Sequence, residues 1–287
     1  MMSLLERCRN YLGLVRFAHT VFALPFALIG ALAAEHRIPP PATLGWILFC
    51  MVTARTSAMT FNRIVDRGID RLNPRTRDRH LPAGRIQLAE AVGLWVVSSI
   101  LFIVGAWMLN RLVFYLSAPV LLVICGYSFI KRFSAWSHFV LGLSLGFAPV
   151  GAWIGVTGVL TGAPILLTTG VLCWVAGFDI IYALLDEEFD RRMGLHSLVV
   201  RLERERALRV AFGLHLLSVL MTALFGWAVG LGWIFYLGTA LYAALILYEH
   251  RLVDPTDASR INMAFFNVNG VISIGLFLFT LADVLLI

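Results

Sequence analysis

The sequence predicts an all-α, polytopic membrane protein, a bundle of about nine transmembrane helices. Three observations lead there. Of 287 residues, 60% are hydrophobic and 14% are charged, whereas a soluble domain carries about 25% charged residues. Mean hydropathy is +0.84. The apolar residues are also gathered into long runs, and a helix needs roughly 20 of them to cross a hydrocarbon core of about 30 Å.

The runs cover approximately 12–34, 42–65, 88–109, 112–130, 138–158, 164–185, 207–229, 231–249 and 265–287. Turn chemistry separates them. Pro39-Pro40-Pro41 precedes the second run, and Asn110-Arg111 divides the third from the fourth. Gly158 to Pro164, Gly230 to Gly232, and Asp254-Pro255 mark later breaks. Little chain remains outside these runs, so residues 1–287 are expected to form one integral domain.

Lys+Arg number 23 and Asp+Glu 17, giving a formal charge of +6. The excess is better explained by loop topology than by nucleic acid, and no nucleic-acid partner is expected. One side collects Arg7, Arg9, the Arg-rich 63–85 stretch, Lys131, Arg132, the 191–209 stretch, Arg251 and Arg260, while the other shows Arg37 and Arg111. Positive loops face the cytoplasm. Nine spans then give a cytoplasmic N-terminus and an external C-terminus, as in a bacterial inner membrane. Cys8, Cys50, Cys125 and Cys173 are scattered, with neither zinc spacing nor a disulfide framework. The start lacks the layout of a cleaved signal peptide, and no lipidation signal ends the chain.

Two long charged connections follow the second and sixth runs. Each opens with Asp-x-x-x-Asp-Arg: Asp66, Asp70, Arg71 and Asp186, Asp190, Arg191. In the second run Arg55, Asn62, Asp66 and Asp70 are spaced by seven, four and four, which keeps them on one helical face. In the sixth, Asp179, Tyr182, Asp186 and Asp190 are spaced by three, four and four, again on one helical face. Acids at a membrane edge are costly and usually functional. At a helix C-terminus they also oppose the macrodipole, by about 0.3–1 kcal/mol each. A bound cation relieves both problems. All the candidate ligands are oxygens, which points to Mg²⁺ or Ca²⁺. Mg²⁺ commonly takes one or two carboxylates and completes its shell with phosphate oxygens and water, so two Asp pairs suggest a clamped diphosphate. The plain alternative is two charged loops paired with their own arginines.

Among basic residues, Arg79 in the segment Arg79 to Gly84 and Lys131, four after Tyr127, are candidates for phosphate contact; each is equally a loop charge obeying the topology rule. Glu203 to Arg209 reads as a solvated helix face. His19 and His138 are lone intramembrane histidines, more often hydrogen-bonded packing residues than catalysts, although Arg16 and His19, one helix turn apart, could face the pocket. Phe22, Phe26, Trp174 and Phe178 build core or lipid-facing surface, unless a few line a prenyl tunnel and face a cation.

Asn62-x-x-x-Asp66-x-x-x-Asp70, Asp179-x-x-Tyr182-x-x-x-Asp186-x-x-x-Asp190 and Arg79 to Gly84 together resemble the signature motifs of the UbiA-type intramembrane aromatic prenyltransferases. The resemblance spans nearly the whole chain, and the opening Arg16 to Pro25 resembles the 4-hydroxybenzoate polyprenyltransferase-like subgroup. It implies a central cavity under a cytoplasmic cap, with Mg²⁺ held by Asp66, Asp70, Asp186 and Asp190. Arg79 and Lys131, with Tyr127 beside Lys131, then match positions that bind a polyprenyl diphosphate. Arg55 and Asp179 match positions near an aromatic acid acceptor, and Asp179, with Asn62 and Tyr182 of the two motifs, is expected to be catalytic. Arg63 and His196 depart from the pattern, where many members carry Asp and Lys. The implied partners are the prenyl diphosphate, a 4-hydroxybenzoate-like acid in quinone biosynthesis, and the lipid bilayer; 1,4-dihydroxy-6-naphthoate in a menaquinone route is the other acceptor.

Two rivals are weaker. A transporter would gather its polar residues near the bilayer midplane, and here they lie at one edge. A CDP-alcohol phosphotransferase would carry an early Asp-Gly and a trailing Gly-x-x-x-Asp, which these motifs lack.

Overall fold

A computed structural model describes residues 4–15, 22–253, 261 and 264–287, and these are helices and turns throughout. Arg16, His19, Arg260 and the Asp254-Pro255 turn lie outside the described residues. In chain order the helices are α1 (Leu4–Leu14), α2 (Leu24–Ala33), α3 (Pro41–Leu72), α4 (Leu88–Leu109), α5 (Arg111–Ile130) and α6 (Ser137–Thr157). They continue as α7 (Ala163–Ala183), α8 (Glu187–Met193), α9 (Leu198–Leu202), α10 (Arg204–Val229) and α11 (Trp233–Leu252). A π-helical turn (Ala264–Val268) leads into α12 (Asn269–Leu286).

Among the described residues, seven helices are long and apolar enough to cross a membrane: α3, α4, α5, α6, α7, α10, and the last one counted from Phe266 to Leu286. The first expected run is represented by α1 and the ten-residue α2. The eighth is α11, whose apolar body ends in Glu249, His250 and Arg251.

The largest departure from the expected boundaries is α3. It begins at Pro41, where proline's missing N–H and fixed φ suit a first helical position, and continues to Leu72 rather than 65. Its 32 residues make a rod of about 48 Å, longer than a hydrocarbon core of about 30 Å. The last turns, which carry Asp66 and Asp70, therefore stand beyond the apolar zone.

Single side chains make the tight turns possible. Asn110 ends α4 and caps α5: its Oδ1 accepts the Val113 N–H at 3.0 Å, and its Nδ2 donates to the Ile154 carbonyl at 2.7 Å. At the start of α11, Asp283 of α12 accepts the N–H groups of Gly232 at 2.7 Å and Phe235 at 3.1 Å. Those donors have no partner inside their own helix, so a neighbouring helix supplies one.

The core centres on α7, where Leu167, Val171, Trp174 and Val175 are fully buried. In a bilayer, helices associate by close packing of small residues rather than by expelling water. Gly142 on α6 lies so near α7 that a Cβ there would be 2.3 Å from the Leu172 carbonyl oxygen. Phe22, Phe26, Trp174 and Phe178 pack on one another with ring centroids 5.0–6.4 Å apart. They are core, which settles the open reading of these aromatics.

Candidate active site

The first motif stands on the unbroken C-terminal half of α3. Asn62 donates through Nδ2 to Asp66 Oδ2 at 3.1 Å and to Ser128 Oγ at 3.3 Å. Lys131, at the end of α5, donates to Asp66 Oδ2 at 2.5 Å. The other oxygen, Asp66 Oδ1, is buried without a hydrogen bond, 3.6 Å from Arg132. One turn on, Arg79 grips both oxygens of Asp70 at 2.8 and 2.9 Å. Arg63, buried at 5% exposure, lies 3.9 Å from Asp70 and 3.4 Å from Asn62 Oδ1. The residue that departs from the motif is thus a further cation within it.

The second motif is built differently from the expectation of one helical face. α7 stops at Ala183, and Asp186 (φ −111, ψ 0) sits at the N-cap of the separate helix α8. Asp179 and Tyr182 are therefore on one helix and Asp190 on another. The macrodipole argument also reverses, because acids are favoured at the start of a helix. Burial, and then the charge of Asp186, push the Asp190 carboxyl up to about 6. Glu187 goes the other way: burial opposes its charge, but Arg204 and Arg191 overcome that and hold it below the usual range.

Two residues from the loop after α3 join the motifs. Asn73 Nδ2 donates to Asp186 Oδ1 at 3.0 Å. Arg75 donates through Nε to the same oxygen at 2.8 Å, through Nη2 to Asp186 Oδ2, and through Nη1 to the Tyr182 hydroxyl at 2.8 Å. Its guanidinium also lies over the Tyr182 ring, 5.0 Å from the centroid. Neither residue was singled out from sequence. Asn73 carried a usable signal, standing three residues past Asp70 where the helix ends.

Asp179 faces His138 of α6, whose Nδ1 is 2.7 Å from Asp179 Oδ2. His138 Nε2 accepts the Leu198 N–H at 3.3 Å. This assigns the proton to Nδ1, so His138 is a neutral donor to Asp179. The His196 N–H donates to the Lys131 carbonyl at 2.7 Å and ties the second loop to the end of α5; the residue is exposed.

Below these polar groups, a cavity of about 460 Å³ is lined mainly by α3, α5 and α6. Ile47, Met51, Phe102, Val123 and Ile124 give it an apolar wall, and Arg55 and Tyr127 bring polar groups to it. Tyr127 is within electrostatic reach of Arg63, Asp66, Asp179 and Arg55. The α3 wall runs from Ile47 to Met59, about 18 Å of helix.

Among the described residues, no three His, Cys, Asp or Glu side chains already converge as a metal cage. The donors come as pairs of carboxylates, one oxygen of Asp66 lacking a hydrogen bond. That set fits Mg²⁺, which leaves much of its shell to phosphate oxygens and water.

The sequence model of the UbiA prenyltransferase family matches residues 23–271. A protein of Tolumonas auensis named 4-hydroxybenzoate octaprenyltransferase is 30% identical over 217 residues, 76% of each chain. One of Shewanella sediminis with the same name is 28% identical over 272 residues, 93% of this chain and 94% of that one. Among solved structures, an apo UbiA homolog from Aeropyrum pernix K1 superposes with a TM-score of 0.84 at 33% identity, covering 92% of this chain and 98% of the other. A UbiA homolog from Archaeoglobus fulgidus bound to DMAPP and Mg²⁺ matches at a TM-score of 0.75 and 20% identity, covering 97% and 100%. The second likeness concerns the fold.

Proposed function

This chain belongs to the UbiA prenyltransferase family, and on that premise we propose that it moves a polyprenyl group from an isoprenyl diphosphate onto a 4-hydroxybenzoate-like aromatic acid in quinone biosynthesis. The observation that carries the reading is the joining of the two aspartate motifs by Asn73 and Arg75, next to an apolar cavity that Arg55 and Tyr127 border. Relatives named 4-hydroxybenzoate octaprenyltransferase support the acceptor, and a homolog bound to DMAPP and Mg²⁺ supports the donor and the metal.

Asp66, Asp70, Asp186 and Asp190 would hold Mg²⁺, which when bound neutralises charge on the leaving diphosphate. Lys131 and Arg79, already beside the first motif, turn their donors to the phosphate oxygens. The allylic C–O bond breaks, and the diphosphate leaves with its electron pair. Apolar walls keep water from the allylic cation. Asp179, held by His138, accepts a hydrogen bond from the acceptor hydroxyl and enriches the ring. A ring carbon bonds to the prenyl C1 and gives up its proton to the departed diphosphate, which restores aromaticity. Arg55 grips the acceptor carboxylate with its planar pair of donors. The long prenyl tail lies in the cavity, while the cap and the N-terminus face the cytoplasm and the C-terminus faces outward.

The test is an assay of the purified enzyme in detergent, crossing prenyl diphosphates of several lengths with 4-hydroxybenzoate and 1,4-dihydroxy-6-naphthoate. Product is read by mass spectrometry. A Mg²⁺-dependent prenylated 4-hydroxybenzoate supports the proposal. Product on the naphthoate alone replaces the acceptor, and no product with any pair overturns the reaction.

A further inference from the structure

We propose that Arg75 competes with the divalent cation for Asp186 and so makes metal binding depend on the arrival of the diphosphate. The inference rests on the reading of Asp186 as a metal ligand and goes beyond it by giving the cap a loading order.

Arg75 engages both oxygens of Asp186, and Asn73 adds a third donor at Oδ1. An ionised carboxylate has about four lone-pair sites, and three are taken here. The competing group is itself a cation, so a metal approaching either oxygen meets repulsion as well as occupied lone pairs. Arg79 on Asp70 and Lys131 on Asp66 repeat the theme. Three of the four acids thus hold a basic side chain where a metal would bind.

A diphosphate resolves the conflict. It offers phosphate oxygens, which a guanidinium binds as readily as a carboxylate. Arg75 then exchanges Asp186 for phosphate, Asp186 turns to the metal, and no charge is left unpaired. Two ligands that each relieve the other's obstacle bind cooperatively, and the coupling is reciprocal. Arg75 is placed for the exchange because it comes from a different segment than the acid it holds. Its backbone N–H is fixed by Asn73 Oδ1 at 2.9 Å, so the side chain can swing while the loop stays seated. Arg75 is a positioning residue in this scheme, acting on the metal through Asp186.

The measurement is calorimetric titration of the full-length protein in detergent with Mn²⁺ or Mg²⁺, with and without a slow-reacting prenyl thiodiphosphate. Arg75→Gln is expected to bind the metal alone more tightly than the parent, by roughly fivefold to a hundredfold, the usual span of such couplings. The same variant binds the thiodiphosphate more weakly in the presence of metal, and the metal–diphosphate coupling shrinks. Arg75→Lys keeps the charge with fewer hydrogen bonds and falls between the two. A residue that merely braces the loop would weaken metal binding when removed, the opposite sign. Unchanged or weaker metal binding in both variants overturns the proposal. Asp186→Asn tests the underlying reading separately: if it binds metal as the parent does, Asp186 is not a ligand, whatever Arg75 does.

Discussion

His138 is a neutral imidazole that donates to Asp179 at 2.7 Å through one nitrogen and receives the Leu198 N–H through the other. The ring itself is 3% exposed, while the Asp179 side chain is partly open. The orientation of Asp179 and the seating of the second cap loop are fixed by the same ring.

Removing that ring is expected to affect turnover more than donor binding. His138→Ala should lower kcat by up to about a hundredfold, the scale on which a misplaced catalytic group is felt, while KM for the prenyl diphosphate changes little. His138→Asn keeps an N–H donor near the Nδ1 position and should recover part of the loss. Steady-state kinetics with each substrate varied in turn distinguishes the effects. Equal damage from both variants would mean that the ring only fills space.

Asp66→Asn and Asp186→Asn should each remove most activity at ordinary Mg²⁺ concentrations, and chelation by EDTA should do the same to the parent reversibly. The readout is product formed per enzyme over a Mg²⁺ titration. Near-normal turnover in both variants would refute the metal assignment.

Arg55 reaches the cavity from α3, seven residues before Asn62. Arg55→Ala should raise KM for the carboxylated acceptor by roughly tenfold to a hundredfold, matching the loss of about 1.5–3 kcal/mol from a hydrogen bond to a charged group. KM for the prenyl diphosphate should stay near the parent value. An equal loss for both substrates would assign Arg55 to packing.

Asp283 is remote from the cap and serves the α11 terminus through Gly232 and Phe235. Asp283→Ala should cost about 0.5–2 kcal/mol, the range for losing a helix cap. A lower melting temperature in detergent, with normal kinetics well below it, is the expected pair of results.

Gly142→Ala puts a methyl group 2.3 Å from the Leu172 carbonyl oxygen. A backbone atom cannot swing aside, so α6 and α7 must separate, at about 1–3 kcal/mol for an overpacked contact. Thermal stability should fall, and activity should fall with it, because His138 and Asp179 sit on those two helices.

The apolar runs from 88 to 185 were legible nearly to the residue, because lipid demands uninterrupted apolar sequence and turns interrupt it sharply. The end of α3 was not. Beyond residue 65 its sequence is charged, and hydropathy reads charge as loop, although helical spacing of Asp66 and Asp70 continued to Leu72. The opposite error occurred at Asp186. The four-residue spacing runs from Tyr182 through Asp186 to Asp190, yet α7 stops at Ala183, and Asp186 is held by Asn73 and Arg75 of the first loop. Asp66, Asp70, Lys131 and Arg79 could be named because acids and bases near a membrane edge stand out. Arg75 could not be told from its arginine neighbours, since its importance lies in a partner 111 positions away.

The unbroken α3 and the break before α8 leave the two jaws of the site unequal, like a caliper with one fixed arm. Asn62, Asp66 and Asp70 cannot change their mutual spacing without unwinding a helix, so they act as the datum. The other arm is joined at Leu184 to Asp186 through i→i−3 turns, so Asp190 is placed by the packing of a separate helix and not by the pitch of α7.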